Sequence, residues 1–195
     1  MNESKKEVFF VLLQQAQEKK TLVSVYDDSD DVTHFEVGIP LWLSATEIII
    51  ETFDVDGSFD GFRWSLLENV LRVDVNGCYE KKIELLRKQN TNWQPSTLES
   101  LCYKEDISLL VRMLRYASAN NLAVEIEQEG SGTVDLQGLV KKTQSSPSII
   151  RVLSDYGEDD GTSCFDIASV TGLRVNSKRG QALVYLNTCS NTGDI

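Results

Sequence analysis

The sequence predicts a mainly β protein with helices, an α+β fold built from one small unit used twice. Short stretches of alternating apolar and polar residues recur along the chain, as is typical of half-buried strands. A stripe of apolar residues at helical spacing precedes each set of strands. Residues of similar type also recur 100 positions apart, which indicates an internal repeat. We therefore predict two tandem small β-barrels, each preceded by an N-terminal helix.

The first half begins with a helix, because apolar side chains over residues 8–20 follow the three-four spacing of one helical face. Strands rich in β-branched and aromatic residues follow at 22–26, 35–39, 47–53, around Phe62, Trp64 and Leu66, and at 70–75. Residues 82–87 fit a last strand and a short helix equally well.

The second half repeats this plan. A helical stripe covers residues 107–117, and residues 122–126 match the strand at 22–26. Later positions recur 100 residues on with no gap, as in Gly38 and Gly138, Gly61 and Gly161, Val70 and Val170, and Ile83 and Leu183. We predict an internal duplication with a first helix-plus-barrel repeat at residues 1–88, a polar linker at 89–104 and a second repeat at 105–195.

Charge bears on the partners that the chain can accept. It carries 30 acidic and 19 basic residues, a net charge of −11, and no basic run exceeds two residues. Nucleic-acid binders concentrate basic residues on one face, so charge disfavours nucleic acid as a partner and favours proteins or basic ligands. The apolar runs are too short to cross a bilayer, so we predict a cytoplasmic protein without membrane partners.

Cysteine and histidine usage argues against a metal or disulfide framework. The four cysteines are scattered without a C-x-x-C pair, and His34 is the only histidine. Zinc sites need closely spaced Cys and His ligands, and cytosolic chains rarely form disulfides. We expect four ordinary thiols, mostly buried.

The phrasing of the strands resembles a known family. Residues 35–39 with Gly38, then Asp60-Gly61, then residues 67–73 look like uncharacterised small bacterial proteins with Sm-like barrels. The resemblance covers nearly the whole chain, twice. It implies two Sm-like barrels whose leading helices close one end, and whose edge strands pair with neighbours or with each other.

The same resemblance suggests RNA binding as an alternative. Sm-like proteins that bind RNA use an aspartate and asparagine pair after the second strand and an Arg-Gly near the fifth. Arg179 and Gly180 look like the second motif, and they are the candidate RNA contacts. Residues 40–44 lack the first pair, and residues 79–83 of the first half lack the second motif. An RNA role would therefore rest on fold analogy.

The aspartate-rich Asp-Gly turns suggest calcium or another ligand as a further alternative. Read as an EF-hand loop starting at Asp56, the segment places Arg63 where an aliphatic residue belongs and Leu67 where the bidentate glutamate belongs. The flanking residues also read as strands rather than helices. A solvated turn with local aspartate hydrogen bonds fits better.

No catalytic signature is present. The chain has no G-x-S-x-G and no nucleotide-binding glycine motif, and nothing in the sequence brings a nucleophile to His34. We predict that the protein is not an enzyme, and we assign it no catalytic, cofactor or metal residues.

The tryptophans supply candidate contact residues. Trp64 alternates with core residues, whereas Trp42 lies where a barrel strand bends and Trp93 lies in the polar linker. Trp42 and Trp93 are therefore candidate partner contacts. We predict a non-catalytic protein-interaction or assembly module built from two Sm-like repeats, with self-association as an alternative to a separate protein partner.

Overall fold

The computed structural model describes residues 3–28, 31, 33–90, 107–129, 134–143 and 147–192, without the side chains of residues 3–6 and 191. The chain divides into two units, Met1–Ser100 and Leu101–Ile195. The fold is a mixture of antiparallel strands and helices, which confirms the α+β prediction. Most of the predicted linker at 89–104, including Trp93, lies outside the described residues.

The described residues of the first unit form two helices and five strands. In chain order they are helix α1 (Glu3–Lys19), strands β1 (Val23–Tyr26), β2 (Glu36–Leu43), β3 (Glu47–Phe53), β4 (Phe59–Leu66) and β5 (Arg72–Val75), and helix α2 (Cys78–Gln89). The strands are antiparallel and lie in the order β5-β1-β2-β3-β4.

The second unit has the same order of elements. They are helix α3 (Leu109–Ala119), strands β6 (Ala123–Gln128), β7 (Val134–Lys142), β8 (Ser148–Leu153), β9 (Asp159–Phe165) and β10 (Val170–Val175), and helix α4 (Lys178–Thr192). The strand order is β10-β6-β7-β8-β9, again antiparallel.

The prediction of two closed Sm-like barrels is wrong, because the strands form open antiparallel sheet. Closure of a five-stranded barrel requires its first and last strands to pair. Among the described residues, no pairing joins β4 to β5 or β9 to β10. Sequence periodicity specifies which face of a strand is buried, but it does not specify whether the outer strands meet.

Each unit has a second helix that the sequence does not predict. In the first unit, residues 82–87 fit a strand and a helix equally well, and in the second unit no helix is predicted after the last strand. Residues 82–87 belong to α2, whose Ile83 is buried, with Glu80 in the first turn and Arg87 in the last. Acidic residues near the start of a helix and basic residues near its end favour the helix dipole. In the second unit α4 occupies the corresponding place, and it buries Leu183.

Among the described residues, two apolar clusters lie in the core of the first unit. One gathers Leu13 of α1 with strand residues such as Val23 and Ile48. The other gathers Ile83 of α2 with residues such as Leu22 and Phe53. Each helix of the first unit thus covers its own set of strand residues, which explains why β3 is buried along its whole length.

In the second unit, α4 covers a smaller cluster. Leu183 packs with Ala123, Leu139 and Leu153, one residue from each of β6, β7 and β8. Helix α3 begins at a serine cap, where the Ser108 hydroxyl oxygen accepts a hydrogen bond from the Val111 amide at 3.3 Å. A side-chain oxygen at this position satisfies one of the helix's unpaired amides.

The two units share strand registers, but with a slip of one residue that the sequence did not reveal. Gly38 pairs with Thr52 and Gly138 pairs with Val152, both 100 positions apart. In contrast, Val75 pairs with Val23 whereas Val175 pairs with Val124, so β6 follows β1 by 101 positions. The prediction of a repeat without gaps is therefore wrong, since one residue fewer connects β6 to β7 than connects β1 to β2.

The true hairpin turn between β3 and β4 lies at Gly57, not at Asp60-Gly61. The Gly57 amide donates to the Asp54 carbonyl at 2.8 Å, and the glycine has a φ of +76°. Gly157 in the second unit has the same φ and donates to the Ser154 carbonyl at 2.9 Å. A positive φ favours glycine because it has no Cβ. Gly61 instead lies inside β4, beside an irregularity in the β3–β4 register.

Candidate functional site

Strand β9 is an exposed edge strand. It lies at one end of the strand order of the second unit, and among the described residues it pairs only with β8. Asp159, Asp160, Gly161, Thr162 and Cys164 are all exposed. In an edge strand, alternate backbone N–H and C=O groups point away from the sheet and have no partner strand.

The corresponding strand of the first unit is buried. Five of the eight residues of β4 are buried, and Trp64 is 1% exposed. Position by position, Thr162 and Cys164 of β9 stand where β4 has Phe62 and Trp64. Two large, buried aromatic residues of β4 thus correspond to small, exposed residues of β9. This difference was readable in the aligned repeats, and it is the signal that sequence analysis missed.

Strand β5, an outer strand of the first unit, is protected. It is only four residues long, and Arg72 makes two hydrogen bonds to the Asp74 carboxylate, at 2.8 and 2.5 Å. The same guanidinium lies 4.6 Å from the ring centre of Tyr26, whose hydroxyl donates to Asp74 at 3.2 Å. Short length and charged side chains discourage pairing with another chain. Strand β9 has neither form of protection along its centre.

An acidic cleft lies beside the start of β9, with a volume of about 490 Å³. Its polar lining consists of Asp135, Gln137, Ser154, Asp155, Tyr156, Asp160 and Arg179. Three carboxylates therefore face one guanidinium, so the cleft favours cations. Tyr156 is 76% exposed, and it presents a large aromatic surface at the rim. Asp160 belongs both to this cleft and to β9.

Asp155 is the carboxylate most closely engaged. Its oxygen Oδ1 accepts hydrogen bonds from Gln137 Nε2 at 2.9 Å and from Arg179 at 2.7 Å. These contacts, the Gln137 bond foremost and then the Arg179 bond and charge, lower the pKa of the Asp155 carboxyl below its usual value. Asp155 is therefore ionised wherever ordinary carboxyls are. The side chain is 71% exposed, so water also reaches this pair.

The predicted RNA contacts lie in a different environment from the one that the Sm-like resemblance implied. Arg179 is in the first turn of α4, and besides Asp155 it lies 3.8 Å from the carboxylate of Glu125. Gly180 is buried, and a Cβ there would lie 3.2 Å from the Cβ of Ala123. The glycine thus allows close packing of α4 on β6, and the arginine is paired with acids.

Of the predicted partner contacts, Trp42 lies in β2 and Trp93 is outside the described residues. Trp42 is partly buried and follows the register irregularity after Pro40. The bend that the sequence predicted at this position is thus accompanied by a bulge in the β2–β3 pairing. Trp42 belongs neither to β9 nor to the acidic cleft, as far as the described residues define them.

The acidic turn of the first unit makes local hydrogen bonds. Asp56 Oδ1 accepts from the Ser58 amide at 2.9 Å, and Asp54 Oδ1 accepts from the Val55 amide at 2.6 Å. In the parts of the chain that the structure describes, no three His, Cys, Asp or Glu side chains converge as a metal site. Calcium binding at these turns stays a prediction.

A buried serine and glutamate pair joins a strand to the final helix in each unit, with the two residue types exchanged. The Ser24 hydroxyl of β1 donates to the Glu80 carboxylate of α2. In the second unit the Ser177 hydroxyl, just before α4, donates to the Glu125 carboxylate of β6. All four residues are at most 6% exposed. The pair joins the helix to the sheet in both units.

The thiols differ from expectation, and His34 lies apart from them. Cys78 and Cys164 are exposed and Cys189 is partly buried, so the expectation of buried thiols is wrong for these three. Their exposure follows from their positions, at the start of α2, in the edge strand and in α4. His34 is exposed, and its amide donates to the Asp31 carbonyl at 3.0 Å.

Comparison with known proteins gave no match, whether with family models, curated proteins or solved structures. Within the described ranges, none of the helices has the length and apolar character needed to cross a membrane.

Proposed function

We propose that this protein is a non-catalytic protein-interaction module that binds an extended segment of a partner by adding it as a strand to β9. The observation that supports this is the exposure of β9, a seven-residue outer strand with small, uncharged residues at its centre. Edge strands of this kind bind peptides in many protein families through main-chain hydrogen bonds.

The energetics favour modest, reversible binding. Each main-chain hydrogen bond contributes about 0.5–1.5 kcal/mol net, since water is displaced from both partners. The small side chains of Thr162, Ser163 and Cys164 leave room for those of a partner strand. A Cβ placed on Gly161 would have no neighbour within 4 Å, which supports open access at the start of the strand.

The comparison of the two units supports a division of labour. Strand β4 is buried and has Trp64 bonded through its indole nitrogen to Glu47 at 3.0 Å, whereas β9 is open. The shared registers and the exchanged serine and glutamate pairs support an origin by internal duplication. On this proposal the first copy keeps a structural role and the second copy supplies the binding edge.

The RNA alternative stays a prediction, and the charge around its candidate residue counts against it. Arg179 faces Asp155 and Glu125, so its positive charge is offset before a phosphate approaches. Salt-dependent binding of short single-stranded RNA that is lost in Arg179→Ala would support RNA over peptide.

Binding at β9 is tested by selecting binders from a random linear peptide library and remeasuring the selected peptides on edge variants. Two single variants, Thr162→Pro and Ser163→Pro, are made and compared. Neighbouring residues direct their amides to opposite sides of a strand, so only one of these prolines removes a bond to β8. The variant that keeps the wild-type melting temperature is the test, and it should lose at least about tenfold in peptide affinity.

A second measurement does not depend on a folded proline variant. In the triple variant Cys78→Ser, Cys102→Ser and Cys189→Ser, Cys164 is the remaining thiol, and the rate of its modification by a maleimide reports access to β9. A selected peptide should slow this reaction in proportion to its occupancy. Unchanged modification at saturating peptide, or equal binding by the folded proline variant, refutes the location at β9. If the wild-type protein dimerises and the folded proline variant does not, the segment bound at β9 belongs to a second copy of this chain and not to another protein.

A further inference from the structure

We infer that the segment bound at β9 is basic, and that one of its Lys or Arg side chains enters the acidic cleft and takes Asp155 from Arg179. This inference rests on the proposed function and specifies the chemistry of its partner. Arg179 therefore competes with the partner's cation for Asp155, and it contacts this carboxylate in the absence of the partner.

The strand and the cleft are continuous. Asp160 lines the cleft and is also the second residue of β9. A strand paired with β9 therefore runs past the mouth of the cleft. Side chains of four carbons or more, as in Lys and Arg, have the reach to enter from a neighbouring strand.

The charge of the cleft also favours a basic segment. The cleft holds Asp135, Asp155 and Asp160 against the single guanidinium of Arg179. One more cation from a partner would reduce this excess of negative charge from two to one. Tyr156 at the rim adds an aromatic face, which attracts cations.

Arg179 contacts the carboxylate that the partner's cation would bind. Its guanidinium already forms the contact that a partner's cation would form, at 2.7 Å from Asp155 Oδ1. The side chain is 51% exposed, so the contact exchanges with solvent. On release, Arg179 keeps a second acid, because Glu125 lies 3.8 Å away. Glu125 itself is held by the Ser177 hydroxyl, so this second acceptor is fixed in place.

Charge also selects among occupants. In an antiparallel pair of two β9 strands from two copies, Asp166 beyond one end would approach Asp159 at the start of the other. Like charges across neighbouring strands are unfavourable. RNA phosphates meet the same repulsion from Asp155 and Asp160. A basic extended protein segment is the occupant that the charges fit.

The test uses two capped peptides with alternating valine and threonine, which differ only at a central residue, lysine in one and glutamine in the other. Fluorescence anisotropy measures their affinity for the full chain. The lysine peptide should bind about two- to fivefold more tightly, as is typical of a partly exposed ion pair. Asp155→Asn should remove this preference and leave the glutamine peptide unaffected.

Arg179→Ala supplies the decisive variant, because it removes the competitor. The lysine peptide should gain about two- to fivefold in affinity, and the glutamine peptide should not change. Lys178→Ala is the matched control, since it removes one positive charge from the same helical turn but not from the cleft. It should leave the ratio between the peptides unaltered.

The outcomes separate this inference from the proposed function. If neither peptide binds, or if both bind the folded proline variant equally well, the proposed function fails. If both peptides bind at β9 with equal affinity, or if Arg179→Ala weakens the lysine peptide, binding at β9 stands and the basic partner is refuted.

Discussion

The Ser24 hydroxyl donates a hydrogen bond to the Glu80 carboxylate, and thereby ties strand β1 to helix α2 inside the first unit. The second unit makes the same tie between Ser177 and Glu125, with the hydroxyl on the helix side and the carboxylate on the strand. Position 77 is glycine where the second unit has Ser177, and a Cβ there would lie 2.5 Å from a Glu80 oxygen. Residues 24, 77 and 80 of the first unit therefore differ together from their counterparts 125, 177 and 180 in the second unit.

Loss of the serine should destabilise the first unit. Ser24→Ala leaves a carboxylate that is 5% exposed without its hydroxyl donor, and hydrogen bonds to charged groups contribute about 1.5–3 kcal/mol. We expect a loss of that size in the free energy of unfolding by urea. The combined variant Ser24→Glu, Gly77→Ser and Glu80→Gly rebuilds the second unit's arrangement. It should be more stable than Ser24→Glu alone, and the reverse order would contradict the coupling.

Gly57→Ala should cost more than Gly161→Ala. Both glycines have positive φ, which costs a residue with a Cβ about 1–2 kcal/mol. At Gly57 the new Cβ would also lie 2.4 Å from the Arg87 amide nitrogen, whereas at Gly161 it meets open space. Thermal unfolding of the two variants separates backbone strain from the collision. Equal losses would show that α2 moves aside without cost.

Trp64→Ala should be severely destabilising, whereas Cys164→Ala should be nearly neutral. Removal of a buried tryptophan costs about 3–5 kcal/mol through lost burial and the cavity left behind. Trp64 is 1% exposed, and it also donates to Glu47 at 3.0 Å. Substitutions at exposed positions stay within about 0.5 kcal/mol. Urea unfolding measures both, and a large loss at Cys164 would contradict an open β9.

Arg179→Ala and Gln137→Ala should each raise the pKa of Asp155, since both side chains donate to its carboxylate. The pKa in the folded protein lies below the ordinary value of 3.8. The linked stabilisation is therefore complete above the ordinary value and is lost as the pH falls through the folded value. Carboxyl titration by NMR checks this. Tyr156→Ala, which removes a cleft residue without a bond to Asp155 among those described, should leave the pKa unaltered.

The sequence predicts the strands well because alternation records which face is buried. The strand predicted at residues 47–53 coincides with β3, which supplies Ile48 to one core and Phe53 to the other. Alternation does not specify which strands become neighbours, and for this reason the prediction of closed barrels was wrong. Residues 82–87 lie in a helix because Ile83 meets a core formed by distant residues, and local spacing does not contain that information.

The candidate site was less predictable. Asp-Gly pairs occur at both Asp56-Gly57 and Asp60-Gly61, and composition alone does not distinguish a turn from a strand irregularity. Arg179 was selected by resemblance, yet its surroundings are acidic because the β8–β9 turn brings Asp155 to α4. That approach depends on the fold, so only coordinates reveal it.

The turn glycines have a consequence for biosynthesis. A Cβ on Gly157 would lie 2.5 Å from the Leu186 side chain, so the β8–β9 turn is seated against the middle of α4. Gly57 is seated against Leu86 and Arg87 in the same way. On the ribosome each hairpin emerges before the helix that seats its turn. Strand β9, the proposed binding edge, is therefore fully synthesised before α4 has left the exit tunnel. Until then, the β8–β9 turn lacks the helix against which it packs.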